Sequence, residues 1–200
     1  MNRRTLLLSA AALAVAGGAA LAQELSLNEL SAYFNQMQTA QGGFTQINGD
    51  GTLSTGQIYI KRPGRIRFEY NAPDNSLVMA GGGQVAVFDP KSNAPADRYP
   101  LNQTPLNIIL ERDVNLGQAR MVTGHTSDGT KTTITAQDPA HPEYGNIQLV
   151  FTANPVELRQ WIVTDDVGEQ TTVILNDLIK GGSIGDVKFN IEAEMRKRGQ

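Results

Sequence analysis

The chain has 200 residues, with 17 Lys and Arg against 20 Asp and Glu, and it contains no cysteine. Without cysteine, neither a disulfide framework nor a lipid anchor on an N-terminal cysteine is available. The acidic balance argues against a nucleic-acid partner, because proteins that bind nucleic acids usually carry a basic excess.

The first 22 residues have the pattern of a signal peptide. Arg3 and Arg4 precede an apolar run from Leu6 to about Ala16, and Ala20-Leu21-Ala22 has the small-residue form of a cleavage site. We expect cleavage after Ala22 and a periplasmic protein, with both the general and the twin-arginine export routes open. The remaining residues 23–200 carry 15 bases and 20 acids, a net charge of −5, and they suffice for one domain with a substantial core.

Residues 25–40 predict an amphipathic helix. Its apolar side chains recur every three or four positions, at Leu27, Leu30, Tyr33, Phe34 and Met37. Ser26 and Glu29 have the spacing of a capping box. Gly42-Gly43 is expected to end this helix.

The rest of the chain alternates mostly with a period of two and predicts a mainly antiparallel β fold. Turn signals at intervals of roughly ten residues indicate a meander of hairpins. The predicted strands are GFTQI, TLSTGQIYIKR, 65–70, SLVMA, QVAVF, 131–136, 146–152, 156–163 and 170–176.

Two segments do not follow the strand pattern. Residues 104–112 predict a short helix capped by Thr104, with Pro105 at its first position, and it is apolar on nearly every side. The charged tail EAEMRKRGQ is expected to fray. A curved sheet with helices over one apolar face either packs solid or encloses a cavity, and the periodicity favours neither outcome.

The stretch KRPGRIRFEY raises the question of what its four bases do. Alternation in 65–70 puts Ile66, Phe68 and Tyr70 on one face and Arg65, Arg67 and Glu69 on the other, which we expect to be solvated. Lys61, Arg65 and Arg67 are then either ordinary outer surface or a positive strip that steers docking to an acidic partner.

Arg62 differs from the other three bases. If its strand keeps alternating, Arg62 points the same way as Ile58 and Ile60. A charge on an apolar face must find hydrogen-bond partners, so Arg62 is predicted to have a specific role.

No catalytic or metal-binding constellation can be assembled. The loop around Asp50 resembles the middle of a calcium-binding loop, but Gln46 and Gln57 stand where carboxylates are needed. His125 and His141 lie in turn-rich stretches without metal-ligand spacing. Asp165-Asp166 reads as a hairpin turn, and no nucleophile motif or phosphate-binding loop is present. We therefore expect no enzyme, no cofactor and no metal.

Several stretches of the chain together have the pattern of a known family. They are Phe44-Thr45-Gln46, GQIYIKRPGRIRFEY, SLVMAGGGQVAVFDP and Thr104-Pro105-Leu106, followed by the Trp161 strand with a D-x-G turn and TTVIL. In these stretches the chain resembles the LolA family of periplasmic outer-membrane lipoprotein carriers. The resemblance covers most of residues 23–200.

The resemblance implies a half-open barrel with a helical lid, made of the N-terminal helix and the short internal helix, over an apolar cavity. It also implies that Arg62 donates hydrogen bonds to the lid backbone and holds the protein closed when no cargo is bound. An aromatic residue usually stands four positions later, where this chain has Ile66, and Gly81-Gly82 and Phe68 also depart from the family pattern. The residues then expected to line the cavity are Phe44, Ile58, Ile60, Ile66, Phe68, Tyr70, Leu106, Ile109, Leu110 and Trp161.

The function that the resemblance implies is carriage of lipoproteins from the inner to the outer membrane. Acylated lipoproteins, an inner-membrane ABC extraction complex and an outer-membrane receptor lipoprotein would be its partners, and the carrier would be a monomer. Two alternatives stay open at this point: a similar domain that carries another lipid or a glycolipid, and a periplasmic sensor or interaction domain with a filled core.

Overall fold

The computed structural model describes residues 24–92 and 94–199, so the predicted signal peptide lies outside the described residues. One antiparallel sheet of eleven strands has the order β6-β5-β4-β3-β2-β1-β11-β10-β9-β8-β7. The strands are β1 Thr39–Ile47, β2 Leu53–Lys61, β3 Arg65–Tyr70, β4 Leu77–Gly81, β5 Gln84–Phe88, β6 Asp97–Pro100, β7 Val122–Ser127, β8 Lys131–Gln137, β9 Asn146–Thr152, β10 Glu157–Thr164 and β11 Gln170–Lys180. The helices are α1 Leu27–Gln36, α2 Asn107–Leu110 and α3 Ile191–Lys197, with 3-10 turns at Leu101–Gln103, Pro142–Tyr144 and Asp186–Phe189.

The sheet curls strongly. The rings of Phe68 on β3 and Trp161 on β10 have centroids 6.2 Å apart, although β2, β1 and β11 lie between these strands. Four interstrand spacings in a flat sheet would separate the two strands by roughly 19 Å. The predicted mainly antiparallel fold is confirmed, and the curl gives it the form of a half-open barrel.

The inner face of this barrel holds the main core. Alternate residues of β8 and β9 are buried, as expected for strands with one face covered. Helix α1 lies over this face, where Tyr33 and Phe34 meet Phe151 edge to face. Ser26 and Glu29 form the predicted capping box.

The helix α1 ends earlier than the sequence predicted. Met37 is its C-cap, and Gly42 lies inside β1, where the pairing of β1 with β11 shifts register between Gln41 and Gly43. A Cβ on Gly42 would come within 2.9 Å of the Asn176 carbonyl oxygen. The glycines therefore permit close approach at a bulge and do not end the helix.

The C-terminal residues cover the part of the outer face that β3, β4 and β5 form, which corrects the expectation of a frayed tail. The predicted frayed tail forms α3, capped by Asn190, and Ile191 joins a second buried cluster with Leu77, Met79, Ala86 and Phe88 on β4 and β5. We call residues 184–199 the outer strap. Gly81 permits its approach, since a Cβ there would lie 2.1 Å from the Phe189 carbonyl oxygen.

The outer strap also changes the reading of the basic strip. Arg67 is only 8% exposed and pairs with Glu69 and Glu194, whose oxygens lie 2.7 and 3.3 Å from its guanidinium nitrogens. Lys61 and Arg65 both pair with Asp186 of the strap. The alternation was predicted correctly. The expectation that this face is solvated was wrong for Arg67, because the sequence pattern did not reveal the strap that covers it.

Candidate binding site: an apolar cleft beside a fastened lid

Residues 101–121 run from the end of β6 to β7 and form the lid. Buried apolar residues on the lid face the core: Leu101, Ile108, Ile109, Leu110, Val114, Leu116 and Met121. The predicted helix here is shorter than expected and begins after Leu106, without a side-chain cap. The Thr104 hydroxyl instead donates to the Leu101 carbonyl oxygen at 2.7 Å, which ties down the preceding turn.

Arg62 fastens the lid to α1. It lies just after β2 and is 4% exposed. Its guanidinium donates to the carbonyl oxygens of Phe34 and Met37 at the end of α1. It also donates to those of Glu111 and Arg112 in the lid. One side chain thus connects both helical elements that cover the inner face.

The charge on Arg62 is compensated only in part. Among the described residues no carboxylate is within ion-pair distance of it, and its Nε has no hydrogen-bond partner there. Burial lowers the pKa of Arg62, and the charge of Asp113 opposes this shift. An arginine still remains protonated, so the lid is held by a buried cation on neutral acceptors.

Two further fasteners of the lid escaped the sequence reading. The Asn35 amide donates to the Val114 carbonyl oxygen and accepts from the Val114 amide, both at 2.9 Å. The Ser31 hydroxyl accepts from the Leu116 amide at 3.0 Å. Both residues lie on the polar side of the α1 pattern, where nothing in a single sequence distinguishes a fastening side chain from a solvated one.

An open cleft of about 540 Å³ lies beside the lid, between the two arms of the curled sheet. Four of the predicted cavity residues line it: Phe68, Tyr70, Leu106 and Trp161. Further apolar wall comes from Val78, Val85, Val163 and Val173, which the sequence reading did not assign to the site. These valines sit at inward positions of strands that the sequence did predict.

The other six predicted cavity residues lie in closed core: Phe44, Ile58, Ile60, Ile66, Ile109 and Leu110. None is more than 2% exposed. The lid residues of this set pack in one cluster with the strand residues and fill the space that an open lid would leave. In this closed arrangement the six residues, Ile66 among them, do not line the cleft, and their role as cavity wall stays a prediction.

Tyr70 brings a polar group to the cleft. Its hydroxyl donates to Gln46 Oε1 at 2.7 Å. Burial raises the pKa of Tyr70 to about 12, although the hydrogen bond to Gln46 acts in the opposite direction. The phenol is therefore neutral over the whole physiological range.

The remaining candidates have local roles. His125 Nε2 lies 2.9 Å from the Leu25 carbonyl oxygen, and His141 lies 3.0 Å from Glu143. Asp165 accepts backbone amides of its own turn, as predicted. Within residues 24–92 and 94–199 no three His, Asp or Glu side chains are grouped as metal ligands require, and no helix there is both long and apolar enough to cross a membrane.

These features define a half-open antiparallel barrel with a fastened helical lid and an apolar cleft. The sequence model of the family described as "Outer membrane lipoprotein carrier protein LolA" matches residues 35–192. The chain therefore belongs to the LolA family. Carriers of this family are periplasmic chaperones without enzymatic activity.

Relatives named outer-membrane lipoprotein carrier protein align over nearly the whole chain. The protein of Azotobacter vinelandii is 27% identical, and the alignment covers 94% of this chain and 93% of the relative. That of Chromohalobacter salexigens is 28% identical, with coverage of 94% and 89%. A solved structure of a LolA superfamily protein from Nitrosomonas europaea is 14% identical, with a TM-score of 0.43 over 84% of this chain and 99% of that chain.

Proposed function

We propose that the protein binds the acyl chains of lipoproteins in its apolar cleft and carries them through the periplasm from the inner to the outer membrane. The observation that carries this proposal is the apolar cleft beside a lid that Arg62 fastens. Family membership and relatives named as lipoprotein carriers support it. Export with cleavage after Ala22 belongs to the same proposal.

The size of the cleft implies that the lid must move on loading. A cavity of about 150 Å³ accommodates the six carbons of benzene. By that measure the cleft of about 540 Å³ holds on the order of twenty carbons. That is room for one long acyl chain. Lipoproteins with three chains therefore need the space that Ile109 and Leu110 now fill.

A fastened lid also keeps the affinity for cargo within a releasable range. Each buried methylene contributes about 0.8 kcal/mol, so one fully buried chain of about sixteen carbons contributes on the order of 10 kcal/mol. Opening the lid breaks the bonds that Arg62, Asn35 and Ser31 make. Part of the binding free energy goes into that opening, which weakens net binding.

The proposed partners follow from the route. The carrier receives acylated lipoproteins from an inner-membrane ABC extraction complex and delivers them to a receptor lipoprotein at the outer membrane. It acts as a monomer.

Tryptophan fluorescence provides the direct test. Trp161 is the only tryptophan of the chain and lines the cleft, so a triacylated lipopeptide with a bromine label on an acyl chain should quench it on binding. Leu106→Glu places a carboxylate in the cleft wall and should lower the lipopeptide affinity at least about tenfold. Leu53→Glu is the matched control, since Leu53 is 69% exposed and lies outside the cleft lining.

A carrier purified from the periplasm should also hold lipoprotein, identified by mass spectrometry after extraction. A lipopeptide that leaves Trp161 unquenched, or a purified protein that holds only another lipid, would overturn the proposal.

A further inference from the structure

The polarity of the cleft changes in one direction along three strands. Residues two positions apart on a strand share a face, and three such pairs in the cleft lining step from apolar to polar toward the same end of the sheet. The pairs are Phe68 and Tyr70 on β3, Val163 and Asp165 at the end of β10, and Val173 and Thr171 on β11. Gln46 on β1 adds a polar side chain beside Tyr70. The cleft therefore has an apolar floor and a polar rim.

The rim can hydrogen-bond an uncharged group. Tyr70 donates its proton to Gln46, and its oxygen keeps acceptor capacity. Gln46 Nε2 donates one hydrogen to Asn48 Oδ1 at 2.6 Å and keeps the second. The free amide hydrogen of Gln46 can donate to an ester or amide carbonyl that joins acyl chains to a head group, and the Tyr70 oxygen can accept from the N–H of an amide linkage.

The charge of the rim disfavours an anion. Asp165 and Asp166 line the cleft, whereas no lysine or arginine is among the described residues that line it. The turn holds Asp165 in place, because its Oδ1 accepts the amides of Val167 and Glu169 at 3.1 and 2.8 Å. A phosphate seated at this rim would meet two carboxylates without a cation to offset them.

We propose that this rim makes the cleft selective for acyl chains joined by uncharged ester or amide groups and against lipids whose head group carries a phosphate. A diacylglyceryl cysteine with an amide-linked third chain has the first chemistry, and phospholipids have the second. The inference rests on the proposed function and names how that same cleft separates cargo from the phospholipids of the two membranes.

Quenching of Trp161 compares three monomeric probes with the same brominated acyl chains. They are a triacylated lipopeptide with an uncharged peptide, phosphatidylcholine and phosphatidylglycerol. At about 25 mM salt the lipopeptide should bind at least tenfold tighter than phosphatidylglycerol, with phosphatidylcholine between them. At about 500 mM salt this ratio should shrink, since screening weakens the repulsion.

Variants locate the effect at the rim. Asp166→Asn should bring the affinity ratio of lipopeptide to phosphatidylglycerol closer to one. Glu157→Gln removes one carboxylate at the opposite end of β10 and should leave the ratio at the wild-type value. Tyr70→Phe should weaken binding of a lipopeptide with an amide-linked third chain by roughly three- to tenfold, and an analogue with that chain joined by an ester should lose much less.

The outcomes separate the two claims. If the lipopeptide quenches Trp161 while phosphatidylglycerol binds equally well at both salt concentrations and Asp166→Asn changes nothing, the inference is overturned and the carrier function stands. If no lipopeptide binds, the proposed function fails and the inference fails with it.

Discussion

Two buried arginines five positions apart, Arg62 and Arg67, hold two different covers on the same sheet. Arg62 faces inward and fastens the lid through backbone carbonyl oxygens. Arg67 faces outward and fastens the outer strap through the carboxylate of Glu194 and the carbonyl oxygen of Lys188, while Glu69 of its own strand also pairs with it. They are 4% and 8% exposed, so the chemistry of their partners distinguishes them far more than their burial.

The difference fits a movable cover on one face and a permanent one on the other. A buried charge on neutral acceptors is poorly compensated. When the lid opens, water can solvate the Arg62 guanidinium again, which offsets part of the free energy that opening requires. A buried charge paired with carboxylates is strongly destabilised when one partner leaves. We therefore expect the inner face to open on loading and the outer face to stay closed.

The largest effect should come from a charge placed in the core between the two arginines. Ile66 is fully buried, so Ile66→Glu should destabilise the fold by about 4 kcal/mol or more, because it buries a carboxylate without a partner. Ile66→Val is the control and should cost about 1 kcal/mol. Urea unfolding measures both. A stable Ile66→Glu variant that has lost only lipopeptide binding would show that water reaches this position.

The outer pair should behave as a unit. Arg67→Leu should cost about 3 kcal/mol, because it leaves Glu194 buried with only Arg198 as a partner. Replacing both, Arg67→Leu with Glu194→Leu, should recover most of that loss. A double-mutant cycle from urea unfolding measures the coupling. Additive single effects would contradict a permanent ionic fastening.

The inner arginine should be less costly to replace. Arg62→Leu removes hydrogen bonds to the lid but also removes a poorly compensated charge, so the fold should lose only about 1–2 kcal/mol. The lid should open more often, with increased binding of a hydrophobic dye and slower release of lipoprotein. Arg62→Lys keeps the charge but not the forked donors, so its dye binding and its rate of lipoprotein release should lie between those of wild type and Arg62→Leu. A variant that transfers lipoprotein at the wild-type rate would refute the latch.

The contrast between these arginines also shows what the sequence could and could not reveal. Alternation around Pro63-Gly64 put Arg62 on the apolar face and required partners for it, and the hairpins between 43 and 88 were placed from the same pattern. The outer strap was missed because only Asn190, as a helix cap, and the spacing of Ile191 and Met195 indicate a helix in this charged tail. These signals are too short to predict a packed segment. No local pattern says that the tail returns to cover β3.

The closed core under the lid was missed for a different reason. Period-two alternation identifies which face Ile58 and Ile60 occupy, but not whether the space above them is filled. That depends on Ile109 and Leu110, which are distant in the sequence. Edge strands β6 and β7 were also missed, since a four-residue strand such as DRYP and the polar VTGHTS carry little apolar alternation.

A smaller effect should appear as a pH dependence of the outer fastening. Burial alone raises the pKa of Glu194, but the hydrogen bond from Arg198 and the charge of Arg67 together hold it below its ordinary value of 4.5. A depressed folded-state pKa gives stability that is fully present above about pH 4.5 and is lost as the pH falls through the lower folded-state pKa. Between about pH 3 and 5 the free energy of unfolding should therefore fall less steeply with decreasing pH for Glu194→Gln than for wild type. Equal slopes would mean that Glu194 contributes no such stability.

The smallest effect should come from the exposed end of the outer strap. Lys61 and Arg65 share Asp186, whose pKa is lowered by the hydrogen bond and charge of Lys61, and Asp186 is itself largely exposed. Exposed ion pairs contribute little to stability, so Lys61→Gln with Arg65→Gln should leave the melting temperature unchanged within error. Asp186 also offsets one of these two positive charges, so removing both bases should barely change the rate of association with the proposed extraction complex in stopped-flow measurements, even at low salt. A marked slowing at low salt that disappears at high salt would restore these bases as a steering surface, and Asp186→Asn should then accelerate association by exposing the same two charges.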